Sequence, residues 1–193
     1  KRLSLRDHVF CGLQRLCVFS LNFVCFYTAV RYINSGLESV IFSMAVFFNA
    51  LNSWLFFKQK PSPRFAPAAC TGLLGMVLLF WHELDFGAWH VGQLTGMALA
   101  ALGTFGFSLG NMLSVRHQKH GLDVFTTNAY AMLYGTLVLA VLAALFDVSL
   151  AMPMQAGFVW PLLYLAVFGS VIGFTAYFTL VKRLGAAQSA YTT

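Results

Sequence analysis

The sequence predicts an all-α integral membrane protein with six transmembrane helices. Of the 193 residues, 59% are hydrophobic and only 9% are charged, whereas about a quarter of the residues in a soluble domain are charged. The mean hydropathy is +0.74. The apolar residues form continuous runs, most of them close to the ~20 residues that a helix needs to cross the hydrocarbon, instead of the alternating pattern of barrel strands.

Short linkers that are polar or contain proline or glycine separate the apolar runs and leave no room for a soluble domain. The third run is the shortest. The predicted spans are Phe10–Val30, Leu37–Phe57, Ala66–Trp81, Val91–Val115, Phe125–Phe146 and Phe158–Val181. The chain begins with KRLSLRDH and has no initiator methionine, so we expect it to be part of a longer protein.

The basic residues indicate how the spans are oriented. If successive spans alternate in direction, ten of the twelve Lys and Arg residues lie on one side, Arg31 lies on the other, and Arg15 falls within the first span. The positive-inside rule makes the basic side cytoplasmic, and Arg15 is expected to snorkel toward it. The net charge of +6 therefore reports topology, and no nucleic-acid partner is expected because no soluble basic patch exists.

Two stretches of the chain share an order of residue types at an offset of 151 residues: NFVCFYTAVRYINSG from Asn22, and GFTAYFTLVKRLGAA from Gly173. The two copies would cross the membrane in opposite directions, which is typical of the inverted repeats of transporters. A unit of this length holds five spans and predicts a ten-helix, five-plus-five protein. Residues 1–84 would then end the first repeat and residues 85–193 begin the second, with a further helix starting at Gln188.

Three segments carry a resemblance to a known family: TAVRYINSGLESVIFSM, FFNALNSWLFFKQKPSPR and LYLAVFGSVIGFTAYFTLVKRLGAAQSAYTT. Together they resemble the EamA family of the drug/metabolite transporter superfamily, over essentially the whole chain. The resemblance implies a multi-pass transporter of the bacterial inner membrane that carries small metabolites such as amino acids or related compounds, with export as the expected direction. It places this chain from the third helix to the start of the ninth. The family usually has Gly-Glu after the second run, where this chain has Lys58-Gln59.

The resemblance also implies a central cavity made by the first, second, fourth and sixth spans of this chain. Polar residues there are candidates for the substrate path, since polar groups are costly inside a membrane. Glu38 either stabilises the start of its helix or couples protons or recognises a cationic group. Asn49 and Asn52 either bridge helices or line the path. The candidates are Asn22, Glu38, Asn49, Asn52, Ser108, Asn111 and Tyr177.

Small residues recur along the fourth span and predict close helix packing. They also remove side-chain bulk, so we expect the path to run between the second and fourth spans, past Asn49 and Asn111. The small residues are Gly92, Gly96, Ala100, Gly103, Gly106 and Gly110.

Two other functions compete with transport. One is a purely structural membrane subunit. The other is an intramembrane serine hydrolase, since the segment from Gly106 to Gly110 fits G-x-S-x-G, but that motif requires a strand-to-helix turn and a nearby histidine. We expect no enzyme. His82, Glu83, Asp85 and His90 lack a compact ligand spacing, so neither a metal nor a cofactor is expected. The expected partners are a small-molecule substrate and membrane lipid, and a homo-oligomer is compatible with the sequence.

Overall fold

Helices make up the regular structure of the chain. The computed structural model describes residues 3–60, 63, 65–79, 81, 91–147 and 155–192, and within these residues there is no β-strand. The helices are α1 (Leu5–Ala29), α2 (Ser35–Phe57), α3 (Phe65–Leu79), α4 (Val91–Lys119), α5 (Val124–Leu145), α6 (Ala156–Leu184) and α7 (Ala186–Ser189), followed by a 3₁₀ turn at Ala190–Thr192. The predicted all-α class is confirmed.

Five of these helices, α1, α2, α4, α5 and α6, are long and apolar enough to cross a membrane. Their bounds lie within three residues of the predicted spans for α2, α5 and α6. The 15 residues of α3 rise about 22 Å, which is shorter than the ~30 Å hydrocarbon core. The helix ends before Trp81, where the third span was predicted to end.

The first and fourth helices extend beyond their apolar runs because polar residues stabilise their ends. Ser4 and Asp7 form a capping box, in which the Asp7 N–H donates to Ser4 Oγ at 3.3 Å and the Ser4 N–H donates to the Asp7 carboxylate at 3.1 Å. Helix α1 therefore starts at Leu5. Helix α4 ends with Arg116, His117 and Lys119 in its last turn, where cations are favoured by the helix dipole.

Helices α1 and α6 share an irregularity at corresponding places. Each contains a π-helical segment, at Leu16–Leu21 in α1 and at Leu165–Gly173 in α6. A shift of 151 residues carries the first segment onto residues 167–172, inside the second. The same shift carries Asn34, which precedes α2, onto Gly185, which precedes α7. Gly185 has a φ of 86°, which ends α6, so the next helix begins at residue 186, two residues before the predicted start.

Helix α2 ends in a left-handed conformation. Lys58 is the C-cap and lies in the left-handed region, with φ 57° and ψ 22°. The Gln59 N–H donates to the Ser53 carbonyl at 3.3 Å, which closes the last turn. Glycine adopts this conformation without steric cost and lysine does not. A glycine, which the resemblance implies at this position, would therefore suit the backbone better than Lys58 does.

Helix α4 runs through the middle of the bundle, and its small residues face α1. A Cβ at Gly96 would lie 2.8 Å from Ile33 Cγ2, one at Gly103 would lie 3.1 Å from Cys25 Cβ, and one at Gly110 would overlap the side chain of Val18. The predicted close packing is confirmed. The space that these glycines leave is filled by α1 and the turn after it, and the path between α2 and α4 stays a prediction.

Contacts at one end of the bundle agree with the directions predicted for the first, second and fourth spans. Asp7 at the start of α1 pairs with Arg116 at the end of α4, with 3.6 Å between Oδ1 and Nη1. The Lys119 ammonium, also at the end of α4, lies 4.0 Å from the ring centre of Phe57 at the end of α2. The start of α1 and the ends of α2 and α4 therefore share one basic end of the bundle. That this end is cytoplasmic remains a prediction.

Arg15 does not snorkel, contrary to the expectation. Its side chain is only 8% exposed, and its guanidinium carbon lies 3.1 Å from the ring centre of Phe19, one turn deeper along α1. Gly135 of α5 makes room for it, since a Cβ there would overlap the Arg15 side chain. The face of an aromatic ring attracts a cation. In this structure the guanidinium lies against the Phe19 ring instead of reaching the water at the end of the helix.

Candidate functional site

A large cavity lies among the helices. Its volume is about 1360 Å³, and side chains of α1, α2, α3, α4 and α6 line it together with the 3₁₀ turn that follows α7. The lining runs from Val30 and Glu38, at the end opposite the basic end, to Tyr177 and Ala190, deep in the bundle. Most of this wall is apolar or aromatic, as is usual for sites that hold small molecules.

Three of the predicted path residues line this cavity: Asn22, Glu38 and Tyr177. Asn22 directly follows the π-helical segment of α1. Its side-chain amide donates to the Val18 carbonyl of that segment at 3.0 Å, while its Oδ1 is buried without a hydrogen-bond partner in the structure. The asparagine therefore satisfies irregular backbone with its amide nitrogen and keeps a buried, unpaired acceptor.

The other four predicted residues form a buried polar layer below the cavity. This polar layer consists of Asn49, Asn52, Ser108 and Asn111 with the Tyr177 hydroxyl. Asn111 Nδ2 donates to Asn49 Oδ1 at 3.2 Å and to the Tyr177 hydroxyl at 2.9 Å. Asn52 Nδ2 donates to Ser108 Oγ at 2.9 Å. These bonds fasten α2, α4 and α6 to one another.

Helix α7 is tied to the same layer. Asn49 Nδ2 donates to the Ala186 carbonyl at 3.3 Å, and Ala186 belongs to the apolar cluster that lies against the layer with Phe107, Met112 and Phe178. Asn49, Ser108 and Asn111 are completely buried. In this conformation, then, the predicted path between α2 and α4 is closed, and Tyr177 is the residue that both lines the cavity and belongs to the polar layer.

Glu38 does not act as the cap of its helix. Asn34 takes that role, since its Oδ1 accepts the Leu37 N–H at 2.8 Å. Glu38 instead extends from the first turn of α2 into the cavity wall. Glu38 lies in the first turn of α2, where the helix dipole favours a carboxylate, so both interpretations of Glu38 stay open.

The aromatic wall of the cavity includes Tyr177, which was predicted as a path residue, and three phenylalanines that were not. Phe23 and Phe26 of α1 line it, as do Phe174 and Tyr177 of α6. These residues form two pairs at the offset of 151 residues, Phe23 with Phe174 and Phe26 with Tyr177. The repeat in the sequence could therefore have predicted these aromatic residues as part of the site, because matched positions of two repeats tend to meet at the interface between the repeats.

The geometry of a serine hydrolase is missing at the G-x-S-x-G motif. Ser108 lies in the middle of the continuous helix α4, not at a strand-to-helix turn. Its hydroxyl accepts the Asn52 amide. Ser108 is thus held as a member of the polar layer.

Metal ligands do not gather in the described part of the chain. No group of three or more His, Cys, Asp or Glu residues there could hold a metal ion. His82, Glu83, Asp85 and His90 lie outside the described residues.

Comparison with known proteins gives one result. Neither the curated proteins nor the solved structures contain a match to this chain. The model of the EamA-like transporter family matches residues 5–81 and 94–193, which is most of the chain and includes every helix described above except the first three residues of α4. The protein therefore belongs to the EamA-like transporter family, whose members are membrane transporters of the drug/metabolite superfamily.

Proposed function

We propose that the protein is a secondary transporter of the bacterial inner membrane that exports small metabolites such as amino acids or related compounds. The observation that carries this proposal is the cavity of about 1360 Å³. Ligand pockets commonly measure ~300–1,000 Å³, so the cavity has room for a metabolite and several waters. Its wall combines aromatic rings with a few polar groups, which suits a solute that must bind and also leave.

A five-plus-five inverted repeat is part of this proposal. It is supported by the two π-helical segments and the two helix starts that recur at the offset of 151 residues. The family model matches in two stretches with a gap at residues 82–93, and the proposed boundary between repeats, at residues 84 and 85, falls in that gap. Transporter sites usually lie near the midplane between repeats. The aromatic residues that line this cavity from α1 and α6 occupy matched positions of the two proposed repeats.

The solute would cross the rest of the membrane through the polar layer. That layer lies between the cavity and the basic end of the bundle, so the structure corresponds to a state closed toward that end. Passage requires the Asn111 amide to exchange its bonds to Asn49 and Tyr177 for bonds to the solute or to water. Such an exchange is favourable only for a solute that can hydrogen-bond, since an unpaired amide is costly in the membrane.

A growth screen followed by flux measurements tests the proposal. Cells that overexpress the protein are challenged with toxic metabolites and amino-acid analogues, and efflux of each compound to which they become resistant is then measured directly. We expect solute-specific resistance accompanied by saturable efflux. If no compound in a broad panel is moved, the transport proposal is wrong.

Variants test the path itself. Asn49→Ala and Asn111→Ala should change the apparent affinity or the solute preference of transport. Asn128→Ala is the matched control, because Asn128 also bridges two helices, through a 3.2 Å bond to Thr175, but does not line the cavity or belong to the polar layer. If Asn49→Ala and Asn111→Ala have the kinetics of the control, the path does not pass the polar layer.

A further inference from the structure

The described part of the cavity wall carries charge of a single sign. Among the described residues that line it, Glu38 is the only one with a charged side chain, and none is Lys, Arg or His. A cleft with low-dielectric walls and charge of one sign concentrates ions of the opposite sign. The electrostatics therefore favour a cationic occupant.

Among the described residues, no group pairs with the Glu38 carboxylate. Asn34, not Glu38, caps the helix. Glu38 Oε1 is shielded from solvent and has no hydrogen-bond partner in the structure. The ion pair found among the described residues joins Asp7 to Arg116 and does not involve Glu38. A carboxylate that is partly withdrawn from water and unpaired is costly unless a cation approaches it.

Aromatic rings line the same cavity as Glu38. Phe42 is one helical turn from Glu38 on the same face of α2, and its ring meets that of Phe26 edge to face, with 5.4 Å between the ring centres. Phe26, Tyr27 and Phe42 all line the cavity. Aromatic faces attract ammonium groups, and the same rings cover an apolar body by ordinary burial.

We propose that the cavity selects small organic monocations, namely amines or quaternary ammonium compounds with an apolar body, and that Glu38 is their counter-ion. This inference rests on the proposed transport function and narrows its substrate class. An amino acid would pair its ammonium group with Glu38 but would find no basic partner for its carboxylate among the described lining residues. Amines, which lack this carboxylate, are therefore favoured over amino acids.

Binding to the purified protein in detergent tests this assignment. Isothermal titration calorimetry with benzyltrimethylammonium, benzyl alcohol and benzylsulfonate compares a cation, a neutral compound and an anion that share one aromatic body. We expect the cation to bind at least about tenfold more tightly than either of the other two compounds. The Coulomb attraction between two opposite charges at close range in a partly desolvated site is worth more than a factor of about ten in affinity. Equal affinities, tighter binding of the sulfonate, or no binding of the cation would overturn the proposal.

Two substitutions and one control locate the effect at Glu38. Glu38→Gln keeps the size and removes the charge, and it should weaken binding of the cation about tenfold or more while leaving benzyl alcohol unchanged. Glu38→Asp keeps the charge and should retain most of the affinity. Asp123→Asn removes a negative charge outside the cavity and keeps the helix cap, so binding should stay as in the parent. If Glu38→Gln binds the cation as the parent does, or if Glu38→Asp loses as much affinity as Glu38→Gln, Glu38 is not the counter-ion.

Flux measured beside binding separates the two proposals. Saturable efflux of neutral or anionic solutes that is unchanged in Glu38→Gln would leave transport standing and refute the cation assignment. Cation binding that depends on Glu38, without flux of any solute, would support the site and refute transport.

Discussion

Asn49→Ala and Asn111→Ala are expected to destabilise the protein in a non-additive way. Asn111 has two amide hydrogens and uses one for Asn49 Oδ1 and one for the Tyr177 hydroxyl. Asn49 additionally donates to the Ala186 carbonyl. Each single substitution therefore removes two hydrogen bonds, but the bond between Asn49 and Asn111 is common to both.

The magnitude follows from that shared bond. Hydrogen bonds between membrane helices average about 0.6 kcal/mol and reach about 1.7 kcal/mol. Each single variant should lose about 1 kcal/mol of unfolding free energy, and up to about 3 kcal/mol where both bonds are strong. The double variant loses three bonds, not four, so its loss should be smaller than the sum of the single losses by about 0.6–1.7 kcal/mol.

Reversible unfolding in mixed micelles, followed by circular dichroism across the double-mutant cycle, measures this coupling. The control cycle combines Asn111→Ala with Asn34→Ala, which removes the cap at the distant end of α2. Sites that share no partner should be additive within about 0.3–0.5 kcal/mol. If the Asn49–Asn111 cycle is as additive as the control, the two amides are not bonded and this pair does not fasten α2 to α4.

Lys58→Gly should raise the unfolding free energy by about 1 kcal/mol, because Lys58 has φ 57° and the left-handed conformation costs a non-glycine residue about 1–2 kcal/mol; Lys60→Gly, measured by the same denaturation, should bring no gain. Asp123→Ala should lower stability at pH 7 by about 1 kcal/mol through loss of the α5 cap, and Asp123→Asn should lower it much less. The Thr126 backbone N–H, which donates to the Asp123 carboxylate at 2.9 Å, holds the pKa of that carboxyl below its usual value. The charge-dependent part of the cap is therefore present above the unfolded pKa of ~3.9 and is lost as the pH falls through the folded pKa. Thermal melts of the parent and of Asp123→Asn across this pH range would detect the loss. Lys60→Cys in a cysteine-free background should react with an impermeant thiol reagent only when the cytoplasmic face is accessible; reaction in intact cells would reverse the topology.

The number and limits of the helices could largely be predicted from the apolar runs. A run of apolar residues marks where a helix can contact lipid, but the helix ends where its last backbone groups are satisfied. The capping box of Ser4 and Asp7 extends α1 five residues beyond Phe10, and the basic last turn of α4 extends it from Val115 to Lys119. Capping residues are visible in a sequence, so these extensions were predictable in principle.

The partners of each helix face were harder to predict. Periodicity places the glycines of α4 on one face, but it does not say which helix covers that face. In a membrane protein this difficulty is greater than in a soluble one, because lipid and protein surroundings are both apolar and hydrophobicity does not separate them. The glycines contact α1, while Asn111 on the same helix contacts Asn49 of α2.

The surroundings of Arg15 were equally hard to predict from the sequence. The sequence gives the depth of Arg15 in its span, and depth alone favours snorkelling. The observed position depends on two residues that only the fold brings together with it: Phe19, whose ring lies below the guanidinium, and Gly135 of α5, which leaves space for the side chain.

The π-helical segments connect the repeat in the sequence to the cavity in the structure. Irregular backbone at membrane depth is tolerated where it is buried in protein or lines a cavity, since lipid cannot satisfy its polar groups. Asn22 follows the segment of α1 and bonds one of its carbonyls, and Gly173 ends the segment of α6; both residues line the cavity. Because π-helical turns occur frequently at functional sites, their recurrence at one offset points to the same place as the aromatic pairs do. The segments therefore define where the two proposed repeats would move against each other: at the cavity wall, directly above the polar layer that closes it.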